Sequence, residues 1–348
     1  MKKEGVLVTG ADGFIGSHFV DYMLRRTDRD LVLVCGWRRG GLGERLRALS
    51  LSHGSWRDRV KVFTHDLAAP FSSLDTEKIN SAGVSHIVHF AAESHVDRSI
   101  VEPADVIRNN VMVTVNSLDL ARNIKGLKSF VQISTDEVYG AAEGDYCHKE
   151  WDPIIPSNPY SASKAAQEAI ATSYWRTYGV PVIITNTMNN IGQRQSADKF
   201  LPMIIRKVLS GETVGIHSVD GTVGSRYYLH AANHADAINF ILDSAVNYPA
   251  PGRVEPFSTR PLRANVVGEL ELSNLHLARI VAEEVGKPLV YDLVDAHSSR
   301  PGHDLRYALD GSFMESLGWT PPVPLIDSIK STVRWYLDNP EWLDVVIE

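Results

Sequence analysis

The sequence contains few cysteines, no surplus of basic residues and no long apolar run. Cys35 and Cys147 are too few for a disulfide framework and are typical of a reducing compartment. The 35 Lys and Arg residues are outnumbered by 42 Asp and Glu, which argues against a nucleic acid as the main partner. The apolar runs fall well short of the about 20 residues that a bilayer crossing needs, so no membrane partner is expected. We therefore expect a cytoplasmic protein.

The composition is otherwise that of an ordinary globular protein. It is 44% hydrophobic and 22% charged, which excludes a disordered, collagen-like or coiled-coil chain. The 13 histidines show no metal-ligand spacing such as HxxxH beside a third ligand, so we predict no metal site.

Short apolar runs alternate with longer segments of helical periodicity in the first half of the chain. The runs are nearly continuous rather than alternating, as in a parallel sheet covered on both faces. They occur at 6–10, 31–35, 60–64, 86–92, 130–135 and 180–186. This α/β pattern predicts a doubly wound parallel-sheet (Rossmann) domain over 1–187. A smaller mixed α/β substrate lobe is expected over 188–348, with helix 231–246 packing back on the first domain.

A glycine-rich segment follows the first strand and opens a helix. Gly10, Gly13 and Gly16 allow a tight turn and a close approach of the backbone to a pyrophosphate. This position at the first strand–helix junction predicts a dinucleotide site, whereas a glycine turn in an empty sheet is the alternative. Asp66, after the third strand, is placed to reach the adenine amino group, or it is only a helix cap.

The second strand ends without the acid that would bind the adenosine ribose. Arg38 and Arg39 follow it instead, and an arginine there can accommodate a 2′-phosphate. The cofactor is therefore predicted to be NAD or NADP, with a slight preference for NADP. The alternative is that both arginines are solvated loop charges.

Two clusters of polar residues could carry chemistry. Tyr160 and Lys164 are four residues apart and share one helix face, where a phenolate could remove a proton from a sugar hydroxyl. Thr135, Asp136 and Glu137 follow a predicted strand at the edge where ligands bind. Removal of water from a sugar needs both an acid and a base, which an Asp–Glu pair supplies. The alternatives are an exposed Tyr/Lys pair and a solvated surface turn.

With these residues identified, the chain resembles the extended short-chain dehydrogenase/reductases, and within them the nucleotide-sugar 4,6-dehydratases, most closely those acting on dTDP-glucose. The matching segments are GADGFIGSHFV (10–20), AAESHVDRSI (91–100), STDEVYG (134–140), PYSASKAA (159–166) and RPGHDLRYALD (300–310). The resemblance implies an enzyme, a hydro-lyase that converts a nucleotide-diphosphate hexose to its 4-keto-6-deoxy form with an NAD(P) cofactor that is tightly held and regenerated in each turnover.

The resemblance also implies the role of each catalytic residue. Tyr160, held by Lys164, is the base for oxidation at C4, and Thr135 binds the C4 oxygen. Glu137 removes the C5 proton, and Asp136 protonates the departing C6 hydroxyl. Other reactions on the same site (5,6-dehydration, 4-epimerisation or decarboxylation) are alternatives, as is a sensor that binds NAD(P) without turnover.

Binding residues follow from the same resemblance. Those implied for the cofactor are Gly10, Gly13, Phe14, Ile15, Gly16, Arg38, Asp66, Leu67, Ala91, Ala92, Asn110, Tyr160 and Lys164. Ser94 and His95 are implied near the hexose. Asn190, Lys199, Arg226 and Arg300 are implied near the diphosphate.

The chain departs from the family pattern at 35–40 and at 214–217. The first segment looks more like the NADP-using GDP-mannose 4,6-dehydratases, and the second is where the family contacts the nucleobase. The nucleobase of the substrate is therefore left open. Helices 101–123 and 160–178 are expected to pair in a homodimer, or to pack only within one chain.

Overall fold

Seven parallel strands form the largest sheet of the computed structural model, which describes residues 4–36, 43–244, 259–295 and 305–346. In chain order the strands are β1 (Gly5–Thr9), β2 (Asp30–Cys35), β3 (Val60–Thr64), β4 (Val84–His89), β5 (Ser129–Thr135), β6 (Val182–Thr187) and β12 (Leu262–Val266). Their spatial order is β12-β6-β5-β4-β1-β2-β3. The order reverses between β1 and β4, which is where open sheets of this kind bind ligands. The predicted fold class is confirmed.

The helices cover both faces of this sheet, as the continuous apolar strands require. Val6 and Val8 pack in one apolar cluster while Leu7 packs in another on the opposite face. The helices are α1 (Phe14–Arg26), α2 (Glu44–Ser52), α3 (Trp56–Arg59), α4 (Ser73–Ser81), α5 (Val96–Val101), α6 (Pro103–Arg122), α7 (Pro159–Tyr178), α8 (Phe200–Ser210), α9 (Ala231–Ser244), α10 (Asn274–Val285), α11 (Ser312–Ser316) and α12 (Leu325–Asp338). Among these described helices, none combines the length and apolar character that a membrane crossing requires.

The predicted helix 101–123 corresponds to α6, whose start lies at Pro103 rather than at 101. Val101 ends α5 and Pro103 is the first residue of α6. Proline suits a first helical turn but disfavours a helical residue before it, so the chain turns at Glu102. Within the described residues, the structure also has two short 3-10 helices, Asp136–Tyr139 and Pro340–Leu343.

In the described part of the chain, three small sheets lie beyond β6. Their strands are β7 (Asn190–Ile191), β8 (Val214–Val219), β9 (Thr222–Val223), β10 (Ser225–Tyr227), β11 (Leu229–His230), β13 (Glu271–Ser273), β14 (Tyr291–Asp295) and β15 (Arg306–Tyr307). The sheet orders are β13-β10-β15, β11-β7 and β14-β8-β9. A separate apolar cluster forms between them and α8, α10 and α12.

The second half of the chain returns twice to the large sheet. α9 packs on α1, where Tyr22 donates to Asp236 at 2.7 Å, and residues 245 and 246 of the predicted helix lie outside the described residues. β12 pairs in parallel with β6. The division at residue 187 stays a prediction, with one correction: β12 comes from the predicted substrate lobe but is an edge strand of the first sheet. Arg263 and Asn265 interrupt this segment, so it lacks the continuous apolar run that marked the other strands in the sequence.

Candidate active site

The glycine loop between β1 and α1 has a backbone that side chains would not allow. Gly10 has a φ of +66°, and a Cβ built there would lie 2.8 Å from the backbone nitrogen of Ala91. A Cβ at Gly16 would lie 2.2 Å from the carbonyl oxygen of Gly10. Gly13 is the N-cap of α1 and offers no side chain to cap the helix, so the first-turn N–H groups, predicted to bind the cofactor at Phe14 and Ile15, receive no side-chain cap. This cradle fits the pyrophosphate of a dinucleotide.

The adenosine side of the predicted cofactor site lies at the ends of β2 and β3. Cys35 ends β2 and is buried. Asp66 follows β3, and its Oδ1 accepts the backbone N–H of Ala68 at 3.0 Å. Leu67 beside it is buried and accepts the Asn116 amide at 2.9 Å. The adenine contact of Asp66 stays a prediction, and Arg38 lies outside the described residues.

Asn110 holds the loop that follows β4, which includes Ala91 and Ala92, by hydrogen bonds to the Glu93 backbone. Its Nδ2 donates to Glu93 O at 3.0 Å and to Ser163 Oγ at 2.8 Å, while its Oδ1 accepts the Glu93 N–H at 2.6 Å. Both amide hydrogens are therefore used within the protein. The predicted cofactor contact of Asn110 is untested, and its side chain already ties this loop to α7.

Thr135 ends β5 and begins the 3-10 helix that carries Asp136 and Glu137. Asp136 is buried, and its Oδ1 accepts the Thr135 hydroxyl at 2.8 Å and the Glu137 N–H at 3.0 Å. Its Oδ2 is buried with no hydrogen-bond partner in the structure. Burial raises the pKa of Asp136 to about 6, against the hydrogen bonds and the Arg226 charge that lower it. A protonated Asp136 can thus donate from Oδ2.

Asn158 connects Glu137 with the start of α7. Its Nδ2 donates to Glu137 Oε2 at 3.1 Å, and its Oδ1 accepts the Ser161 N–H at 2.9 Å. The Ser161 hydroxyl accepts the Asn158 N–H in return, which completes a capping box. One residue therefore orients the carboxylate and fixes the helix that carries Tyr160.

Tyr160 and Lys164 lie on α7, one turn apart. Burial raises the pKa of Tyr160 well above its usual value, and Glu137 and Asp136 raise it further. The ammonium of Lys164 donates to Ile133 O at 2.7 Å and to Gln167 Oε1 at 2.6 Å. Burial lowers the pKa of Lys164 to about 8, although Glu168 opposes this. Lys164 is thus bound to β5 and its own helix rather than aimed at the phenol.

Comparisons with known proteins identify the family of the chain. The model of the family described as GDP-mannose 4,6 dehydratase matches residues 7–332. The chain belongs to this family. The resemblance inferred from the motifs is therefore confirmed.

Relatives of this dehydratase-family chain match along nearly its whole length. A dTDP-glucose 4,6-dehydratase of Streptomyces antibioticus is 34% identical and covers 97% of this chain and 93% of its own. The low-salt glycan biosynthesis protein Agl12 of Haloferax volcanii is 36% identical, with 97% and 99% covered. A dTDP-glucose 4,6-dehydratase of Streptomyces venezuelae, solved with NAD and TYD bound, is 33% identical with a TM-score of 0.80, covering 97% and 98%.

Two residues that the dehydratase resemblance implies for substrate meet at one carboxylate. His95 Nε2 lies 2.8 Å from Asp198 Oδ2, and Lys199 Nζ lies 3.3 Å from the same oxygen. Ser94 precedes His95 in the same loop. Asp198 was not predicted from the sequence, because nothing local indicates an ion pair between residues 103 positions apart.

The remaining implied substrate residues are placed differently. The amide of Asn190 is used internally, donating to Met188 O at 2.9 Å, and its oxygen lies 3.2 Å from His234 Nδ1. Arg226 is buried, lies 4.6 Å from the Tyr307 ring centroid and lowers the pKa of Asp136 through its charge. Arg300 lies outside the described residues.

Over the described ranges, no group of three or more His, Cys, Asp or Glu side chains is arranged to hold a metal ion.

Proposed function

We propose that the chain is a nucleotide-sugar 4,6-dehydratase, which converts a nucleotide-diphosphate hexose to the 4-keto-6-deoxy form. The observation that carries this proposal is the pair Asp136 and Glu137 beside Tyr160. The pKa of Asp136, raised by burial to about 6, keeps a fraction of this carboxyl protonated near neutral pH. An acid with an unpartnered Oδ2 next to a hydrogen-bonded carboxylate is the pair that water elimination needs.

Oxidation at C4 comes first in the proposed reaction. Tyr160 removes the proton of the C4 hydroxyl, and the Thr135 hydroxyl binds the resulting carbonyl oxygen. A dinucleotide bound in the glycine cradle would supply the hydride acceptor for C4 and, later, the hydride donor for C6. Because burial and two carboxylates raise the pKa of Tyr160, its deprotonation requires a positive charge in the assembled site.

Elimination follows, because the C4 carbonyl acidifies the C5 hydrogen. Glu137 removes this proton, and Asp136 protonates the C6 hydroxyl, which leaves as water. After hydrogen returns to C6, a proton from Glu137 restores C5. The sugar loses one water overall. Glu137 ends as it began, while the proton gained by Tyr160 balances the proton lost by Asp136, and both groups are reset by proton exchange with solvent.

We also propose NAD as the cofactor, with NADP as the alternative. The glycine cradle accepts either dinucleotide, and the related dehydratase was solved with NAD. Titration of NAD and NADP into the protein, followed by fluorescence, measures the preference. Tighter binding of NADP, lost in Arg38→Ala, would overturn the choice of NAD.

The decisive experiment measures where deuterium labels appear in the sugar product. With a hexose carrying deuterium at C4, the dehydratase moves the label to C6 and the product has lost one water by mass. In D₂O, one deuterium enters at C5. With the same substrates, a 4-epimerase keeps the C4 label and the mass, and a sensor leaves the substrate unchanged. A decarboxylase would release CO₂ from a nucleotide-linked hexuronic acid, which is added to the panel of dTDP-, UDP-, GDP- and CDP-hexoses. Any of these three results would contradict the proposal.

A homodimer in the cytoplasm is proposed as the working state. Side chains available for pairing are Val101 and Ile107 at 79% and 37% exposure, and Ala169 on α7. Small residues allow helices to approach closely. The free cysteines Cys35 and Cys147 fit a reducing compartment. Light scattering tests the homodimer, and a monomer mass would refute it. Cell fractionation tests the cytoplasmic location.

A further inference from the structure

A buried ion pair lies one helical turn beyond Lys164. Arg263 on β12 donates through Nη2 to Glu168 Oε2 on α7 at 2.6 Å. Both side chains are at most 3% exposed. Removing two charges from water costs free energy that their attraction rarely exceeds, so such a pair is a poor source of stability. The position of the pair next to the predicted active site therefore points to a role other than stability.

Asn186 on β6 connects the pair to the catalytic turn. Its Nδ2 donates to Glu168 Oε1 at 2.7 Å and to the carbonyl oxygen of Thr135 at 3.1 Å. That carbonyl is where β5 ends and the turn that holds Asp136 and Glu137 begins. The Glu168 carboxylate thus fixes the amide that fixes the catalytic turn.

The same carboxylate acts on Lys164. Glu168 is four residues further along α7, and its charge opposes the burial that lowers the pKa of Lys164. On the neighbouring β4, His89 is buried, and its pKa is lowered to about 3 by burial and by Lys164, so it stays neutral. Glu168 is therefore the charged group that balances the Lys164 ammonium.

Aromatic side chains enclose the Arg263 end of the pair. Arg263 Nη1 donates to Tyr139 Oη at 3.3 Å, and the guanidinium carbon of Arg263 lies 4.5 Å from the Trp151 ring centroid. Tyr139 belongs to the 3-10 helix that begins at Asp136. Arg263 thus contacts the far end of the catalytic turn while Asn186 holds its beginning.

We propose that Glu168 and Arg263 are positioning residues that hold the turn Thr135–Tyr139 and the Lys164 ammonium in place for catalysis. The catalytic part of this proposal rests on the dehydratase activity proposed above. The pair touches neither substrate nor cofactor in this scheme and acts through Asn186, Tyr139 and Lys164. The charge of Arg263 is needed because Glu168 would otherwise be a buried, unpaired carboxylate.

The test uses Glu168→Gln and the double variant Glu168→Gln/Arg263→Met, which leaves no unpaired charge. We expect kcat to fall by at least about tenfold with KM changed less, because small misplacements of catalytic groups are costly. The alkaline limb of the kcat profile should move to lower pH, since removal of the Glu168 charge lowers the pKa of Lys164. Hydrogen exchange should become faster in the peptide that spans Thr135 to Tyr139.

Asp236→Asn is the matched control, because Asp236 accepts from Tyr22 and Trp319 on the other face of the sheet. This variant should lose stability but keep the pH profile and the exchange rate of the turn. If the double variant behaves like this control, the positioning role is overturned. If the wild-type protein forms no product, the proposed function fails, and the hydrogen exchange alone still decides whether the pair holds the turn.

Discussion

Asn158 donates to Glu137 Oε2 at 3.1 Å with the same side chain that caps α7 through the Ser161 N–H. Helix capping and the orientation of the proposed C5 base thus depend on one amide. Asn158→Ser and Asn158→Ala separate the two effects, because serine caps a helix but has no amide to donate to Glu137.

Asn158→Ser should retain most of the stability and lose activity. Asn158→Ala should also lose about 1 kcal/mol of stability with the cap. Deuterium uptake at C5 in D₂O measures the base, and urea unfolding measures the cap. Full C5 exchange in Asn158→Ser would show that Glu137 needs no support from Asn158.

The raised pKa of Asp136 predicts a pH dependence of folding stability. Its pKa is about 6 in the folded protein and about 3.9 in the unfolded chain. The folded state therefore holds the extra proton between these values, and stability falls as pH rises from 4 to 6. The full difference corresponds to about 3 kcal/mol and remains lost above pH 6.

Asp136→Asn should remove this pH dependence together with water elimination. The gain in stability of the variant over the wild type, from urea unfolding, should be about 2 kcal/mol larger at pH 8 than at pH 4, because part of the difference is already lost at pH 4. If that difference is the same at both pH values, the raised pKa is wrong. Oxidation at C4 should persist in the variant as transfer of hydrogen to the cofactor.

Arg226 should influence the acid as well as substrate affinity. Its positive charge lowers the pKa of Asp136, so Arg226→Met should raise that pKa and move the rate profile to higher pH. Arg226→Lys keeps the charge and should shift the profile little. If the residue also binds the diphosphate, KM should rise in both variants; an unchanged KM would assign Arg226 to the acid alone.

The glycine cradle predicts a graded loss of dinucleotide binding. Gly16→Ala would place a methyl group 2.2 Å from Gly10 O, whereas Gly13→Ala would place it at 3.1 Å from the same oxygen. Calorimetry should show binding abolished in the first variant and weakened in the second. Gly54→Ala, which meets no atom within 4 Å, is the control. Intact binding in Gly16→Ala would place the dinucleotide elsewhere.

The sequence was sufficient for features whose cause is local. Continuous apolar runs predicted the strands, and Gly10, Gly13 and Gly16 predicted the turn between β1 and α1. Tyr160 and Lys164 were brought to one side of α7 by helical spacing alone. Thr135 to Glu137 could be placed at the sheet edge because they follow an apolar run directly.

Features that depend on distant partners were missed. Arg263 looks unsuited to a buried strand until Glu168, 95 positions away, is seen to accept from it. Asp198 could be recognised as part of the candidate site only once the structure placed it beside His95. Asn158 could have been found, since Asn, Pro and Ser at 158, 159 and 161 are a capping signal. The orientation of Lys164 toward β5 has no counterpart in the sequence pattern.

The late position of β12 in the chain has a consequence for biosynthesis. During translation, β1 to β6 leave the ribosome before residues 262–266. Until then, the outer edge of β6 has no β12 to pair with, and the Glu168 carboxylate has no Arg263. Open strand edges on nascent chains invite pairing with other chains. A fragment ending at residue 187 should therefore aggregate when expressed alone, and the seven-stranded sheet should be completed only after residue 266 has been synthesised.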